Sequence, residues 1–308
     1  MKPVCPICGS HETAYFHKKQ YYAYFRCPEC KSLFLDPLPS EKKIADIYNS
    51  HYEFRVNPLA ETRFRQQVIS ILNNVRTIDP AASTMLDIGT GYGSFVQIAR
   101  DAGFKATGLE PAKNLYKKAR KLTNHVLNEG YEKYFSRNPK SRFDVISLIH
   151  VIEHVRHPER TLRQVVSHIK RGGILFIETP NIDSHLFNTE QSRYTYLTPP
   201  DHIHLFSPYG LELILRTLDR EIKITTTTYS YPEHFMGIAR SIRRGQFGPH
   251  QERTERSHHA QLKPMTAKRK KLPEKPLPFI DRHIAPPLTP ILNIGNKGSI
   301  MQMYVQVF

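Results

Sequence analysis

The chain has 308 residues, 39% of them hydrophobic and 10% aromatic, which excludes a disordered protein and suffices for a full α/β core with small attachments. Of its formal net charge of +16, half comes from residues 240–275, which hold eleven Lys and Arg against three Glu. This concentration favours a local anionic partner, such as nucleic acid or an anionic membrane surface, over a uniformly basic fold, although a solvated loop gives the same pattern. No apolar run is long enough for a transmembrane segment and the N-terminus lacks a signal-peptide core, so we expect a cytoplasmic protein.

The four cysteines lie within the first 30 residues, as two C-x2-C pairs separated by eighteen residues. Paired knuckles of this kind are typical of a structural zinc site, because each turn presents two thiolates to one tetrahedral ion. Four thiolates leave no open position for catalysis, and disulfides are disfavoured in the cytosol. The predicted zinc ligands are Cys5, Cys8, Cys27 and Cys30.

Aromatic-rich stretches at residues 13–16 and 21–26 predict two strands of a short zinc ribbon over residues 1–36. A ribbon of this length buries too little apolar surface to fold without its metal. Because ribbons also bind nucleic acids, a role in recognition stays open.

A helical linker over residues 37–83 follows the ribbon, and strands then alternate with helices. The predicted elements are helices at 40–49, 60–77, 94–102, 112–122, 158–170 and 208–218, and strands at 84–88, 105–109, 125–128, 143–149, 174–178, 222–229 and 299–307. Such alternation requires right-handed crossovers, so we expect residues 84–308 to form an α/β, Rossmann-like domain with a mostly parallel seven-stranded sheet and helices on both faces. A basic, Pro-rich insertion at 236–298 is long for a connection in a compact domain.

Three glycines, Gly89, Gly91 and Gly93, lie between the first strand of this domain and the helix that follows it. A glycine turn in this place suits a nucleotide-like ligand, because only glycine lets the ligand approach the backbone so closely. The dinucleotide fingerprint would need a third glycine where Ser94 stands, and a P-loop would need Gly-Lys followed by Ser or Thr. Neither motif is present.

Two carboxylates indicate which ligand the turn binds. Asp87, at the end of the first strand, would repel a phosphate and suits a ligand with a cationic or hydroxyl-rich edge. Glu110 ends the next predicted strand, twenty-three residues later, in the place of the acid that binds ribose hydroxyls. Two acids and a glycine turn without a phosphate-binding motif point to S-adenosylmethionine, the alternative being a turn that merely needs its glycines.

Jointly these motifs resemble those of the class I S-adenosylmethionine-dependent methyltransferases, in the branch that methylates sugars, quinols and other small molecules. The likeness covers about 84–235 and the last strand, and is carried by residues 86–93, 108–112, 143–155, 171–181 and 201–208. A zinc ribbon before such a domain is similar to that of methyltransferases in polysaccharide and deoxysugar pathways.

The resemblance implies a cofactor site made of Asp87, Gly89, Thr90, Gly91, Gly93, Glu110, Pro111, Ile149 and His150. In the family, residues matching Asp87 and the glycine backbone hold the methionine end of the cofactor. The residue matching Glu110 binds both ribose hydroxyls, and Pro111 would flank the adenine. Ile149 and His150, at the end of the fourth strand, would lie beside the sulfonium.

Methyl transfer is an in-line displacement, so the protein mostly aligns the acceptor and removes its proton. Histidine is the usual base near neutral pH, and our candidates are His154 and His202. A structural hydrogen bond is the alternative role for His154. His204 alternates with His202 in an extended segment, so only one of the two should face the site, and we expect His202. Quinol methyltransferases carry Glu-x-x-Glu-His at this place, thought to bind a divalent metal, whereas this chain has His150 for the first Glu.

The expected function is O-methylation of a small molecule or a sugar or polysaccharide precursor. One alternative is an RNA methyltransferase whose zinc ribbon and basic segment bind phosphates. Another is a non-catalytic binding module that retains the cofactor fold.

Overall fold

A computed structural model describes residues 2–51, 58–243 and 289–308 of the chain. The predicted basic segment lies outside these residues except for 240–243, and the predicted insertion is described only at its two ends. Within the described part of the chain, no helix is both long and apolar enough to cross a membrane.

The described chain contains the predicted alternation of strands and helices. The strands are β1 (Ala14–Lys19), β2 (Tyr22–Arg26), β3 (Leu33–Asp36), β4 (Thr84–Ile88), β5 (Lys105–Leu109), β6 (Val126–Leu127), β7 (Phe143–Ile149), β8 (Ile169–Pro180), β9 (His204–Leu205), β10 (Ile222–Tyr229) and β11 (Ile300–Val307). The α-helices are α1 (Glu41–His51), α2 (Pro58–Ile78), α3 (Ser94–Asp101), α4 (Lys113–Leu122), α5 (Tyr131–Arg137), α6 (Pro158–Ser167), α7 (His185–Glu190), α8 (Pro208–Arg216) and α9 (Pro232–Arg243).

The main sheet has seven strands in the order β10-β11-β8-β7-β4-β5-β6. The pairs from β8 to β6 are parallel, and only β11 runs antiparallel to both of its neighbours. The predicted mostly parallel, Rossmann-like sheet is therefore confirmed. Because parallel strands end at one edge, the chain segments that follow β4, β5, β7 and β8 all meet there, which is where such sheets bind ligands.

A smaller antiparallel sheet has the order β1-β2-β3-β9. Its first three strands come from the cysteine-containing N-terminal segment, where the sequence predicted two. Its fourth strand is contributed by the distant pair His204–Leu205, which aligns with Phe34 and Leu33 of β3. Two residues are too few to give a strand pattern, so this pairing was not predicted.

The N-terminal segment shares its hydrophobic core with the main domain. Buried Cys5, Cys27 and Cys30 belong to the same cluster as Phe206 and Leu211, which lie before and on α8. The two sheets thus form one continuous packed unit at this contact.

The predicted helix at 158–170 ends earlier than expected, at Ser167. Strand β8 already begins at Ile169, which pairs with Phe143 of β7. Gly172 and Gly173 therefore lie in the strand rather than at the end of the helix. A Cβ on Gly173 would lie 2.7 Å from the carbonyl oxygen of Asp144, so close packing on β7 requires glycine there. Helices α5, α7 and α9 were not predicted.

Replacing Gly210 with alanine is expected to loosen the N-terminal segment from α8. The added Cβ would meet the Ser32 hydroxyl and lie 2.9 Å from the Cys30 carbonyl oxygen. Overpacking of this kind costs about 1–3 kcal/mol, which outweighs the better helix propensity of alanine. Urea unfolding measures the loss against Tyr209→Ala, an exposed neighbour on the same helix. Equal unfolding midpoints for Gly210→Ala and the unchanged protein would contradict this packing.

Candidate active site

The turn between β4 and α3 has the backbone of a ligand-binding turn. Gly89, Gly91 and Gly93 have φ angles of +73°, +57° and +78°, a region that favours glycine. A Cβ on Gly89 would lie 2.7 Å from a methyl carbon of Val151, which follows β7 by two residues. A Cβ on Gly91 would meet nothing within 4 Å. The backbone at Gly91 is therefore open to a ligand, while Gly89 lets the segment after β7 pack directly on the turn.

Two buried carboxylates flank this turn. Asp87 is 2% exposed and accepts a hydrogen bond from the Ser147 hydroxyl at 2.7 Å, and burial raises its pKa to about 6. Glu110 accepts the backbone N–H groups of Gly91 at 2.9 Å and Ala112 at 2.8 Å. Burial raises the pKa of Glu110 to about 7. The Glu110 carboxylate is thus fixed against the open part of the turn, where it could accept hydroxyl donors from a ligand.

The other residues predicted for the cofactor lie around the same edge of the sheet. Thr90 packs on β5, where a Cβ on Gly108 would lie 2.7 Å from its methyl carbon. Pro111 is exposed next to Glu110, and Ile149 ends β7 half-buried. Together with the glycines and the two acids, these residues could hold an elongated nucleoside whose sugar lies at Glu110.

His150 directly follows β7 and has a φ angle of +52°, an uncommon value for a residue with a side chain. Its Nδ1 lies 3.0 Å from a Glu153 oxygen and its Nε2 lies 3.6 Å from a Glu178 oxygen. Burial lowers the pKa of His150, but the hydrogen bond and charges of the two carboxylates give a net increase. With 37% of its side chain exposed, His150 faces the open edge while two buried acids hold it in a strained backbone conformation.

The structure brings both predicted bases together beside Glu153. The rings of His154 and His202 are 4.8 Å apart between centroids. Nδ1 of His154 lies 2.9 Å from the carbonyl oxygen of Asp201 and 3.1 Å from its carboxylate. Nδ1 of His202 donates to the Tyr196 carbonyl at 2.7 Å. The Nδ1 atoms of both rings are therefore held by backbone carbonyl groups.

The two histidines carry different charges at neutral pH. Burial lowers the pKa of His154, but the Asp201 and Glu153 carboxylates raise it to about 9. Burial and the charge on His154 lower the pKa of His202 to about 4. Burial raises the pKa of Glu153, but the hydrogen bond with His150 and the charge on His154 lower it to about 2. The cluster therefore contains an ionised carboxylate, a cationic imidazole and a neutral imidazole with a free lone pair.

Glu153, His154 and His202 could also hold a metal ion. Their ligand atoms all lie within 4.8 Å of one another, and Oε2 of the buried Glu153 has no hydrogen-bond partner among the described residues. The Nδ1 contacts of the two histidines resemble the outer-shell bonds that orient metal-binding imidazoles. His204, in contrast, is fully buried beside Phe206 and lies apart from this cluster.

Sequence reasoning missed a polar wall that continues the cluster across the sheet edge. Glu178, at the end of β8, accepts hydrogen bonds from Gln67 at 2.9 Å and from the Tyr229 hydroxyl at 3.2 Å. The Tyr229 and Tyr231 hydroxyls are 3.1 Å apart, and the Tyr196 hydroxyl lies 3.4 Å from Nε2 of His234. These residues come from α2, β8, β10 and α9 and share no local motif. The position of Glu178 at the carboxyl end of a parallel strand was the one available signal.

The four cysteines form a second candidate site, separate from the sheet edge. The Sγ atoms of Cys5 and Cys30 are 3.6 Å apart and those of Cys8 and Cys27 are 3.5 Å apart, so all four are free thiols. A tetrahedral zinc ion with bonds of ~2.3 Å holds its sulfur atoms ~3.8 Å apart. The hydrogen bond between the Cys5 and Cys30 thiols lowers the pKa of Cys30 below its usual range. The quartet therefore fits a closed, structural zinc site.

The fold and the site at its sheet edge are those expected of a methyltransferase domain, and a sequence comparison shows the same family. A sequence model of the family described as "Methyltransferase domain" (Methyltransf_23) matches residues 59–222. Because this match spans more than half of the 308 residues, the chain belongs to that family.

Curated relatives are similar over part of their length. The chain is 27% identical over 156 residues to a mitochondrial ubiquinone biosynthesis O-methyltransferase of Candida albicans, covering 47% of this chain and 46% of that protein. It is 28% identical over 160 residues to a ubiquinone biosynthesis O-methyltransferase of Bordetella avium, covering 49% of this chain and 55% of that protein. The chain thus spans about half the length of these relatives.

Among solved structures, a SAM-dependent methyltransferase from Archaeoglobus fulgidus matches with a TM-score of 0.50 at 18% identity. The match covers 87% of this chain and 100% of that one. The plantazolicin methyltransferase BamL matches with a TM-score of 0.50 at 11% identity, covering 85% and 94% of the two chains. At these identities the likeness supports the fold alone.

The purified protein is expected to contain about one zinc ion per chain, because the four sulfur atoms lie within 4.8 Å of one another. Replacing Cys27 with serine should remove the metal and lower the unfolding midpoint. Mass spectrometry of the metal content measures this directly, with His11→Ala, an exposed neighbour outside the quartet, as a control that keeps its zinc. Metal loss from Cys27→Ser with an unchanged unfolding curve would contradict a structural role.

Proposed function

We propose that this protein transfers a methyl group from S-adenosylmethionine to an oxygen atom of a small molecule, such as a sugar or a polysaccharide precursor. The observation that carries the proposal is the close approach of His202 to Glu153, since ligand atoms of the two residues lie within 4.8 Å of one another. Glu153 lies on the segment after β7, and Val151 of that segment packs on the glycine turn. A proton acceptor therefore lies next to the proposed cofactor site.

In this proposal the cofactor supplies an activated methyl group, and the chain orients it. Glu110 accepts the ribose hydroxyls, since its oxygens already face the open turn at Gly91. Asp87 and the glycine backbone hold the methionine end, and Pro111 borders the adenine. Ile149 and His150 lie beside the reacting centre.

His202 is the proposed base. Its Nδ1–H is held by the Tyr196 carbonyl, so the lone pair on Nε2 is available to take the hydroxyl proton of the acceptor. Glu153 then stabilises the imidazolium that forms. His154, held by Asp201, is a charged neighbour that keeps Glu153 ionised and His202 neutral.

Hydroxyl groups and half-buried rings surround the proposed acceptor position. Tyr196, Tyr229 and Tyr231 present hydroxyls beside Glu178, so the wall suits an acceptor that carries several hydroxyl groups. Two curated relatives are ubiquinone biosynthesis O-methyltransferases, which supports oxygen as the methylated atom. His150 stands where quinol methyltransferases have a glutamate, which favours an acceptor other than a quinol.

The donor set of Glu153, His154 and His202 supports a second mechanism for the same reaction. Two imidazoles and one carboxylate suit a divalent transition metal, which would bind the acceptor oxygen and lower its pKa. Activity that is lost on chelation and restored by added metal favours this mechanism, whereas chelator-resistant activity favours the metal-free base.

The remaining parts of the chain keep the roles proposed from the sequence. We assign residues 1–36 to a structural zinc ribbon, 37–83 to a helical linker and 84–308 to the methyltransferase domain. The RNA methyltransferase alternative depends on residues 240–275, which lie almost wholly outside the described structure, and it gains no support here. The intact glycine turn and its two acids argue against a non-catalytic module.

Binding of S-adenosylmethionine is expected to weaken as the pH falls through 7. Burial raises the pKa of Glu110 to about 7, and only the ionised form accepts two hydroxyl donors. Well below that pKa, S-adenosylmethionine competes with a proton for the Glu110 carboxylate. The Kd for S-adenosylmethionine therefore rises about tenfold for each unit by which the pH falls. Calorimetry from pH 5.5 to 8 measures this dependence. In Glu110→Gln, binding should be weaker and flat between pH 6.5 and 8. The same pH dependence in the variant and the unchanged protein would contradict the role of Glu110.

Replacing His202 with alanine is expected to lower kcat at least 100-fold while Kd for S-adenosylmethionine stays within about twofold. The assay follows formation of S-adenosylhomocysteine with a panel of sugar-nucleotide and catechol acceptors. His185→Ala, an exposed histidine on α7, is the matched control and should keep full activity. Unchanged kcat in His202→Ala would remove it as the base.

A further inference from the structure

The segment that carries His202 is held by the N-terminal ribbon. The Tyr24 hydroxyl, from β2, donates to the His202 carbonyl at 2.8 Å, and the Tyr24 side chain is completely buried. One residue further on, the backbone N–H of Leu35 donates to the Ile203 carbonyl at 2.9 Å. His202 and Ile203 are therefore both hydrogen-bonded to the N-terminal ribbon through their carbonyl oxygens.

The same segment is bonded to the proposed site on its other side. The backbone N–H of Ile203 donates to the Glu153 carbonyl at 2.8 Å. Ile203 thus links Leu35 of the ribbon to Glu153 of the histidine cluster through two hydrogen bonds on one residue.

The cysteine quartet holds the far end of this segment. The Ser207 hydroxyl donates to the Cys30 carbonyl at 2.6 Å and also accepts the N–H of Gly210 at 2.9 Å, where it caps α8. Between these ends, β9 pairs with β3. Residues 202–207 are therefore bound at both ends and in the middle by the ribbon.

From these contacts we propose that the ribbon is a positioning element of the acceptor site and that Tyr24 is a positioning residue for His202. The Tyr24 hydroxyl bonds the backbone carbonyl of His202, so it would act on the imidazole by positioning it. The inference rests on the proposed role of His202 as the base. It goes further in assigning to the N-terminal segment a part in turnover in addition to structural stability.

The bond from Tyr24 is well suited to this role. Burial raises the pKa of the Tyr24 hydroxyl well above its usual range, so the group remains a donor at every pH at which the protein is folded. Without it, the His202 carbonyl would lose a buried partner and the imidazole would shift relative to Glu153. Displacement of a reacting group by about 1 Å can cost about 100-fold in rate.

The test is Tyr24→Phe, which removes one oxygen atom and preserves the packing of the ring. We expect kcat to fall at least tenfold, while Kd for S-adenosylmethionine, KM for the acceptor and zinc content each change by less than about threefold. A base out of position weakens the transition state and leaves ground-state binding intact. Tyr22→Phe, on the same strand and half-buried, is the matched control and should retain the kcat of the unchanged protein.

Three results would overturn the inference or its premise, and they are distinguishable. Wild-type kcat in Tyr24→Phe, with His202→Ala inactive, overturns the positioning role and leaves the proposed function standing. An equal loss of cofactor binding and of kcat in Tyr24→Phe would show general destabilisation, which also overturns the positioning role. Full activity of His202→Ala would show that His202 is not the base, which removes the premise of the inference. Should Tyr24→Phe not fold, Ser207→Ala loosens the segment at its other end and must show the same selective loss of kcat.

Discussion

Much of the site depends on one short extended segment that bonds in two directions. Ile203 donates to Glu153, just beyond the end of β7, and accepts from Leu35 of the ribbon. This places His202 beside His154 and draws the ribbon sheet onto the edge of the main sheet. Backbone groups make both bonds, so both depend on the path of the chain at position 203. The N-terminal ribbon and the α/β domain are therefore coupled at the place where chemistry is proposed.

Buried charge is the second constraint on this edge of the sheet. Glu153 is fully buried beside His150 and His154, and Glu178 is satisfied by Gln67 and by Tyr229. Removing one partner of such a group leaves an uncompensated buried charge, which costs about 3–5 kcal/mol. The unusual backbone at His150 is retained for the same reason, since its ring is held between two carboxylates.

The two sides of the proposed site differ in how far apart along the chain their residues lie. The turn at Gly91 and the acid at Glu110 are joined by a hydrogen bond between consecutive β–α units, an arrangement shared across the fold. The acceptor side combines groups from α2, β8, β10, α9 and the loop before β9. Family membership therefore supports the proposed cofactor side, whereas the proposed acceptor side depends on contacts between distant parts of this chain.

The sequence alone predicted the succession of the main strands along the chain and the glycine turn, and it singled out Asp87, Glu110 and the four cysteines. These features come from apolar runs, glycines that need positive φ, and fixed spacings, all of which are local. It could not predict β9, the end of α6 at Ser167 or the wall around Glu178. These features depend on contacts between residues distant in the chain, such as the pairing of Phe143 with Ile169. Alternation says only that His202 and His204 face opposite sides, whereas tertiary packing buries His204 against Phe206 and brings His202 beside Glu153.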